Sequence, residues 1–241
     1  MITKQLSYSG QQFHRIESAV QDLHNEIWDR RYELWNGNPP TRGVDILDPA
    51  IALRMLGYTV EAVNSLGNFR INGVRSEAAG EIDGIEKTVK ISRRFLLPVQ
   101  RFTLSHELGH AICHPNMGRM HRDLPIEHSG VSRNPQEVEA NYFAAHFLMP
   151  APHVRIYFSE RFVVERLDLT DEAVAYALCG TNSDAIRFRY KGLRALSRCI
   201  ASTEGFNGNR FQSLASLFRV SVETMAIRLE ELGLIERDFW A

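Results

Sequence analysis

A chain of 241 residues, 44% hydrophobic and 24% charged, is long enough for one or two globular domains with a substantial core. A formal net charge of −1 excludes a protein drawn as a whole to nucleic acid or anionic lipid, so any basic site has to be local. No stretch approaches the roughly 18 apolar residues of a membrane span, and the opening MITKQLSYSGQQFHR lacks the apolar run of a signal peptide. The expectation is a cytoplasmic protein without membrane association. Cys113, Cys179 and Cys199 are widely spaced and form no CxxC pair, which suits buried thiols in a reducing compartment better than a disulfide framework.

In chain order, Phe13, Ile16, Val20, Leu23 and Ile27 recur at three- and four-residue intervals, the stripe of an amphipathic helix over 11–35 that NGNPP at 36–40 ends. A second helix has Asp48 as N-cap, Pro49 in its first turn and Gly57 as its stop. A strand is expected over 58–63. GEIDGIEKTVKIS at 80–92 alternates apolar and polar residues about Gly84, which predicts a β-hairpin with Thr88–Ser92 as its last strand. Pro98 opens and Pro115 closes the next helix. The aperiodic stretch 116–133 predicts a loop that could act as a lid. Asn134, Pro135 and Pro150 bracket another helix, after which the pattern is wholly helical.

The helix between Pro98 and Pro115 carries TLSHELGHAICHP. His106 and His110, one turn apart, can bring both imidazoles to one ion, and Glu107 lies at the edge of the same face, placed to take a proton from water without ligating. A bland alternative makes His106, His110 and His114 a polar stripe on a half-buried helix. A third ligand decides between them. On the following helix Glu137 and Asn141 share a face with Ala140, Ala144 and Leu148, while Glu139 groups with Tyr142 and His146. Glu137 is therefore the expected third ligand and Asn141 a hydrogen-bonding orienter of a ligand. Glu137 also stands three residues after Asn134, where a capping-box glutamate would sit. His114 is expected to cap carbonyls or support the site, and Cys113 to be core. Three protein ligands leave a fourth position open to water, as catalytic zinc sites do. His121, His128 and Tyr142 are candidates for stabilising an oxyanion, and the outward positions Thr88, Lys90 and Ser92 could flank a substrate added as a strand.

RFTLSHELGHAICHP followed by EVEANYFAAHFLMP resembles the ImmA/IrrE family of zinc metallopeptidases over roughly residues 48–150. The resemblance implies His106, His110 and Glu137 as metal ligands and Glu107 as general base, agreeing with the helix-face reading on Glu137. It implies zinc, with manganese as an alternative, and cleavage of a protein partner, typically a helix-turn-helix repressor, so that repression is relieved after stress or in a mobile element.

The expected fold is α+β: a small mixed or antiparallel sheet packed on the HExxH helix and the ligand helix, then an all-helical carboxy-terminal domain. The expected division is a peptidase domain over 1–152, with its catalytic core at 45–150, and a helical domain over 153–241. Its end, 210–233, resembles a helix-turn-helix, but the second helix, 221–232, holds Glu223, Glu230 and Glu231 against Arg228 alone, a charge poorly suited to phosphates. Arg187, Arg189, Lys191, Arg194 and Arg198, interleaved with Phe188 and Tyr190, form a richer basic stretch, read first as a solvated face and second as a contact for an acidic partner. The rival function is a DNA-binding or metal-sensing regulator whose peptidase-like core does no catalysis.

Overall fold

The computed structural model describes residues 2–71, 74–115, 121–123 and 134–236, and by internal contacts it divides into a unit of 1–148 and a unit of 149–241. The first unit opens with α1 (Ile2–Asp29) and the single turn α2 (Arg31–Leu34). The predicted stripe is the buried one: Ile16, Val20, Leu23 and Ile27 are all in the core. The long helix stops at Asp29 rather than near 35, and Asn36 and Gly37 take left-handed backbone (φ 50° and 82°) ahead of the two prolines. α3 (Pro49–Met55) follows, where Asp48 accepts from the amides of Ala50 and Ile51 and so satisfies two otherwise orphaned donors. Gly57, at φ 83°, turns the chain out of the helix.

The strands are β1 (Thr59–Val63), β2 (Asn68–Ile71), β3 (Val74–Glu77), β4 (Gly80–Asp83), β5 (Thr88–Ser92) and β6 (His121–Asp123). β4 and β5 form the expected antiparallel hairpin, in register Gly80↔Ile91 to Asp83↔Thr88. Its turn is tied by Asp83 Oδ1, which accepts from the amides of Ile85 and Glu86 at 2.9 Å each. β1 joins β5 in parallel, and the mixed sheet runs β1-β5-β4-β6. β2 and β3 pair as a separate hairpin. The sheet packs on α4 (Leu97–Cys113), and α4 packs on α5 (Pro135–Leu148).

That last contact is unusually close. A Cβ placed on Gly109 would lie 3.0 Å from the Cα and carbonyl oxygen of Ala140 and 3.1 Å from Phe143 Cβ. Glycine facing alanine is what lets the two helix backbones meet. Every residue from Phe102 to His110 is buried, so α4 is covered on all sides there and shows no amphipathic stripe. α1 covers α5: His24 Nε2 is 3.0 Å from the Phe147 carbonyl oxygen, and the Tyr142 hydroxyl donates to Glu17 at 2.5 Å. This bond is the main reason the Glu17 carboxyl is held below its usual range.

The second unit holds α6 (Ala151–Phe162), α7 (Glu172–Cys179), α8 (Ser183–Arg189), α9 (Leu193–Ser202), α10 (Leu214–Phe218) and α11 (Val222–Glu231). Among the described residues its extended pairings are one small hairpin, β7 (Gly205–Phe206) with β8 (Asn209–Arg210), and a parallel bridge between Leu167 and Ile235. Asn207 and Gly208 make the hairpin turn with φ 47° and 76°, the asparagine-glycine pairing that a two-residue hairpin loop favours. The core is aromatic, with Phe162 edge-on to both Phe206 and Phe211.

α10 and α11 give the helix-turn-helix outline, with Ser221 capping α11 through the Thr224 amide at 3.0 Å. Two of the three acidic residues of α11 pair with α9: Arg194 bonds Glu223 at 2.6 Å and Glu230 at 2.7 Å, and Arg198 also pairs with Glu223. Two charges of the basic stretch are thus neutralised inside the unit. Of α11 only Val222 and Glu231 are exposed.

Candidate metal centre

The close approach at Gly109 sets one side of α4 against the first turns of α5, and there three side chains meet. His106 Nε2 lies 2.9 Å from His110 Nε2. Glu137 reaches both rings, with Oε2 at 3.3 Å from His106 Nε2 and Oε1 at 3.5 Å from His110 Nε2. Of the Glu137 side chain 16% is exposed, against 1% and 0% for the two imidazoles, so the cluster opens to solvent on the carboxylate side. The oxygens of Glu137 point to the rings, and the three side chains could together hold a metal ion.

The outer nitrogens decide what the inner ones can do. His106 Nδ1 is 2.8 Å from Asn141 Oδ1; an amide oxygen only accepts, so this nitrogen carries the proton and Nε2 keeps its lone pair. On the other ring, His110 Nδ1 is 3.2 Å from His114 Nδ1, and His114 Nε2 is 2.9 Å from Glu139 Oε2. A carboxylate accepting from His114 Nε2–H leaves the His114 Nδ1 lone pair to accept from His110 Nδ1–H. Both Nε2 lone pairs then converge, together with a carboxylate, on one point. Such a set repels itself unless a cation sits within it. Ligand atoms about 2.0–2.1 Å from one tetrahedral ion stand about 3.3 Å apart, close to the spacings found. The donor set therefore fits a divalent ion such as zinc.

Glu107 is fully buried on the same helix, beneath β4. A Cβ on Gly80 would come within 2.7 Å of Glu107 Oε1 and 2.4 Å of Thr103 Cγ2. Gly80 is thus the strand residue that leaves room for this carboxylate, a role that the sequence pattern did not suggest.

Other expected positions fare differently. β5 is paired on both sides, by β1 and by β4, so it has no free edge, and a substrate strand cannot add beside Thr88, Lys90 and Ser92. Ser92 is in fact fully buried. The alternating pattern of a strand does not reveal whether its backbone is already paired. Tyr142 is engaged with Glu17 and stacks on His146, ring centroids 3.9 Å apart, which ties it to α1 rather than to the cluster. Glu139 does not group only with Tyr142 and His146; it carries His114. The loop 116–133 lies outside the described residues except for 121–123, whose backbone pairs with β4; the His121 side chain and His128 lie outside them as well. Cys113 is only partly exposed, its thiol pushed up to about 11 by burial and then by Glu139.

Orientation by partners predicts a measurable cost. Asn141→Ala and Glu139→Ala are each expected to weaken metal binding by about 10–100-fold, read by competition against a chromogenic chelator, while thermal unfolding of the metal-free protein shifts little.

His106, His110 and Glu137 together could hold a metal ion. The model of the IrrE N-terminal-like domain, peptidase family M78, matches residues 64–189. The chain belongs to this peptidase family, and its substrate is accordingly a protein. Among curated proteins none matches it significantly. Among the described residues no helix is long and apolar enough to cross a membrane.

Proposed function

We propose that the chain is a zinc-dependent endopeptidase, in which His106, His110 and Glu137 hold the ion and Glu107 is the general base, and that it cuts one bond in a cytoplasmic protein partner, a repressor of the helix-turn-helix type, so relieving repression. The observation that carries this reading is the convergence of two imidazole lone pairs and a carboxylate beside a second, buried carboxylate on the same helix. When bound, the ion supplies Lewis acidity and lowers the pKa of water. Glu107 accepts the proton of the attacking water and delivers it to the leaving amine. Asn141 and the His114–Glu139 pair hold the two rings in the tautomer that binds a cation. Manganese is the alternative ion, since two nitrogens and an oxygen also suit it.

The rival function as a DNA-binding regulator is weakened by α11, the helix that would have to read DNA. Its Glu223 and Glu230 are paired with Arg194 and Arg198, leaving few exposed side chains to meet a groove and little positive charge to meet phosphates. Incubating the purified chain and zinc or manganese with each helix-turn-helix repressor found encoded beside its gene should yield two fragments by intact mass, summing to the repressor plus one water, and none with excess chelator. An uncut repressor under both metals overturns the substrate assignment.

A further inference from the structure

β1 stands at the end of the strand order β1-β5-β4-β6, so among the described residues it is paired on one side only. The Thr59 amide donates to the Lys87 carbonyl and the Arg93 amide donates to the Val63 carbonyl, which turns Thr59, Glu61 and Val63 toward β5. Backbone groups alternate in direction along a strand, so the amides and carbonyls of Val60 and Ala62 point away from the sheet. Thr59, Glu61 and Ala62 are exposed. Edge strands are ordinarily blunted by lysine, proline or a bulge; TVEAV, in unbroken register with β5, has none of these.

The two faces of β1 differ. Val60 and Ala62 are in register with Val89 and Ile91, both buried, and Ile91 is opposite Gly80, where a Cβ would meet Glu107 of α4. That face therefore belongs to the apolar layer between sheet and helix, and the exposed Ala62 leaves its margin open. On the other face one register row crosses the whole sheet: Arg122, Glu81, Lys90, Glu61. Its charges alternate in sign, and the row stops at Glu61. A strand added beyond β1 continues both patterns only by setting a cation beside Glu61 and apolar side chains before and after it, next to Val60 and Ala62.

We propose that the outer edge of β1 is a docking site for an extended segment of a protein partner, in which a lysine or arginine stands between two apolar residues and pairs with Glu61. Main-chain hydrogen bonds to Val60 and Ala62 supply the attachment, and the alternating side chains select the sequence. A second copy of the chain suits the edge poorly. The antiparallel register that uses all five residues sets Glu61 against its own equivalent, and like charges directly opposite repel. The edge is also separate from the candidate metal centre, because β4, the strand that meets Glu107, is two strand spacings away, roughly 10 Å. None of this depends on the peptidase reading.

The test uses the wild-type chain and two fluorescein-labelled heptapeptides, Thr-Thr-Val-Lys-Val-Thr-Thr and the same peptide with glutamate for lysine. The lysine peptide is expected to bind saturably by fluorescence anisotropy, and the glutamate peptide about 2–30-fold more weakly, the span one cross-strand charge pair covers when attraction becomes repulsion. Amide exchange at Val60 and Ala62 should slow on adding the lysine peptide, and excess chelator should change neither result. Glu61→Lys should reverse the preference. Ala62→Pro should abolish binding without loss of fold by circular dichroism, since proline removes an N–H that faces away from β5 and is tolerated on an edge strand. Equal binding of the two peptides, no binding at millimolar peptide, an affinity that needs the metal, or a dimer of the chain that Ala62→Pro dissociates overturns the proposal. The exchange measurement and the peptide comparison stand without either variant.

Discussion

Glu107→Gln is expected to lower peptide hydrolysis by about 10²–10⁴-fold, the usual worth of a positioned acid–base group, while metal uptake stays as in the wild type. The two outcomes separate because Glu107 is not among the three groups whose donor atoms converge within 4.8 Å. Glutamine has the same shape as glutamate, so the space that Gly80 leaves above Oε1 accepts it without repacking. What the amide lacks is a place for the proton. Turnover of a partner or peptide substrate, measured beside metal content from elemental analysis, checks both halves. Loss of metal in the variant would make Glu107 a ligand, and unchanged turnover would remove it from the chemistry.

Gly109→Val is expected to damage the site without touching a ligand. Replacing a helical glycine with a side chain brings up to about 1 kcal/mol of helix propensity, least for a β-branched residue. Here the added carbon meets the Ala140 backbone at 3.0 Å on two atoms, neither of which can rotate away, and valine adds two methyl groups beyond it. Overpacking of this kind costs about 1–3 kcal/mol, so the clash outweighs the propensity. Its relief moves α5 away from α4 and carries Glu137 from His106 and His110. Chemical denaturation should therefore show a loss in that range, and chelator competition a metal affinity lower than that of the wild type. Gly109→Ala, with one carbon in place of three, should fall between the two.

The helices that punctuation marks were legible before any coordinates. Asp48-Pro49, Pro98 with Pro115, and Asn134-Pro135 with Pro150 each bracket the helix found there, because a cap or a proline acts within one turn of itself. Spacing likewise placed His106 and His110 on one face and set Glu137 before Glu139, and the structure brings those three side chains together. Partnership across the fold was not legible. The pairing state of Thr88–Ser92 depends on β1, which precedes it by some 30 residues; the Glu139–His114–His110 chain joins two helices; and Gly80 matters only because a glutamate on α4 lies beneath it. The hairpin at Asn207-Gly208 did carry a local signal, but its strands of two residues are too short for an alternating pattern.

The family domain begins at residue 64, yet the helix that ends at Asp29 lies along α5, which bears Glu137 and Asn141. Four apolar side chains of that helix, Ile16, Val20, Leu23 and Ile27, are withdrawn from water, each worth about 1.5–3 kcal/mol when fully buried. A fragment cut to the family's own borders would leave the outer flank of α5 bare, with Tyr142 and the Phe147 carbonyl stripped of their companions. The amino-terminal residues thus act as a brace for the helix that carries part of the centre, and the boundaries of shared ancestry are narrower than those of mechanical support.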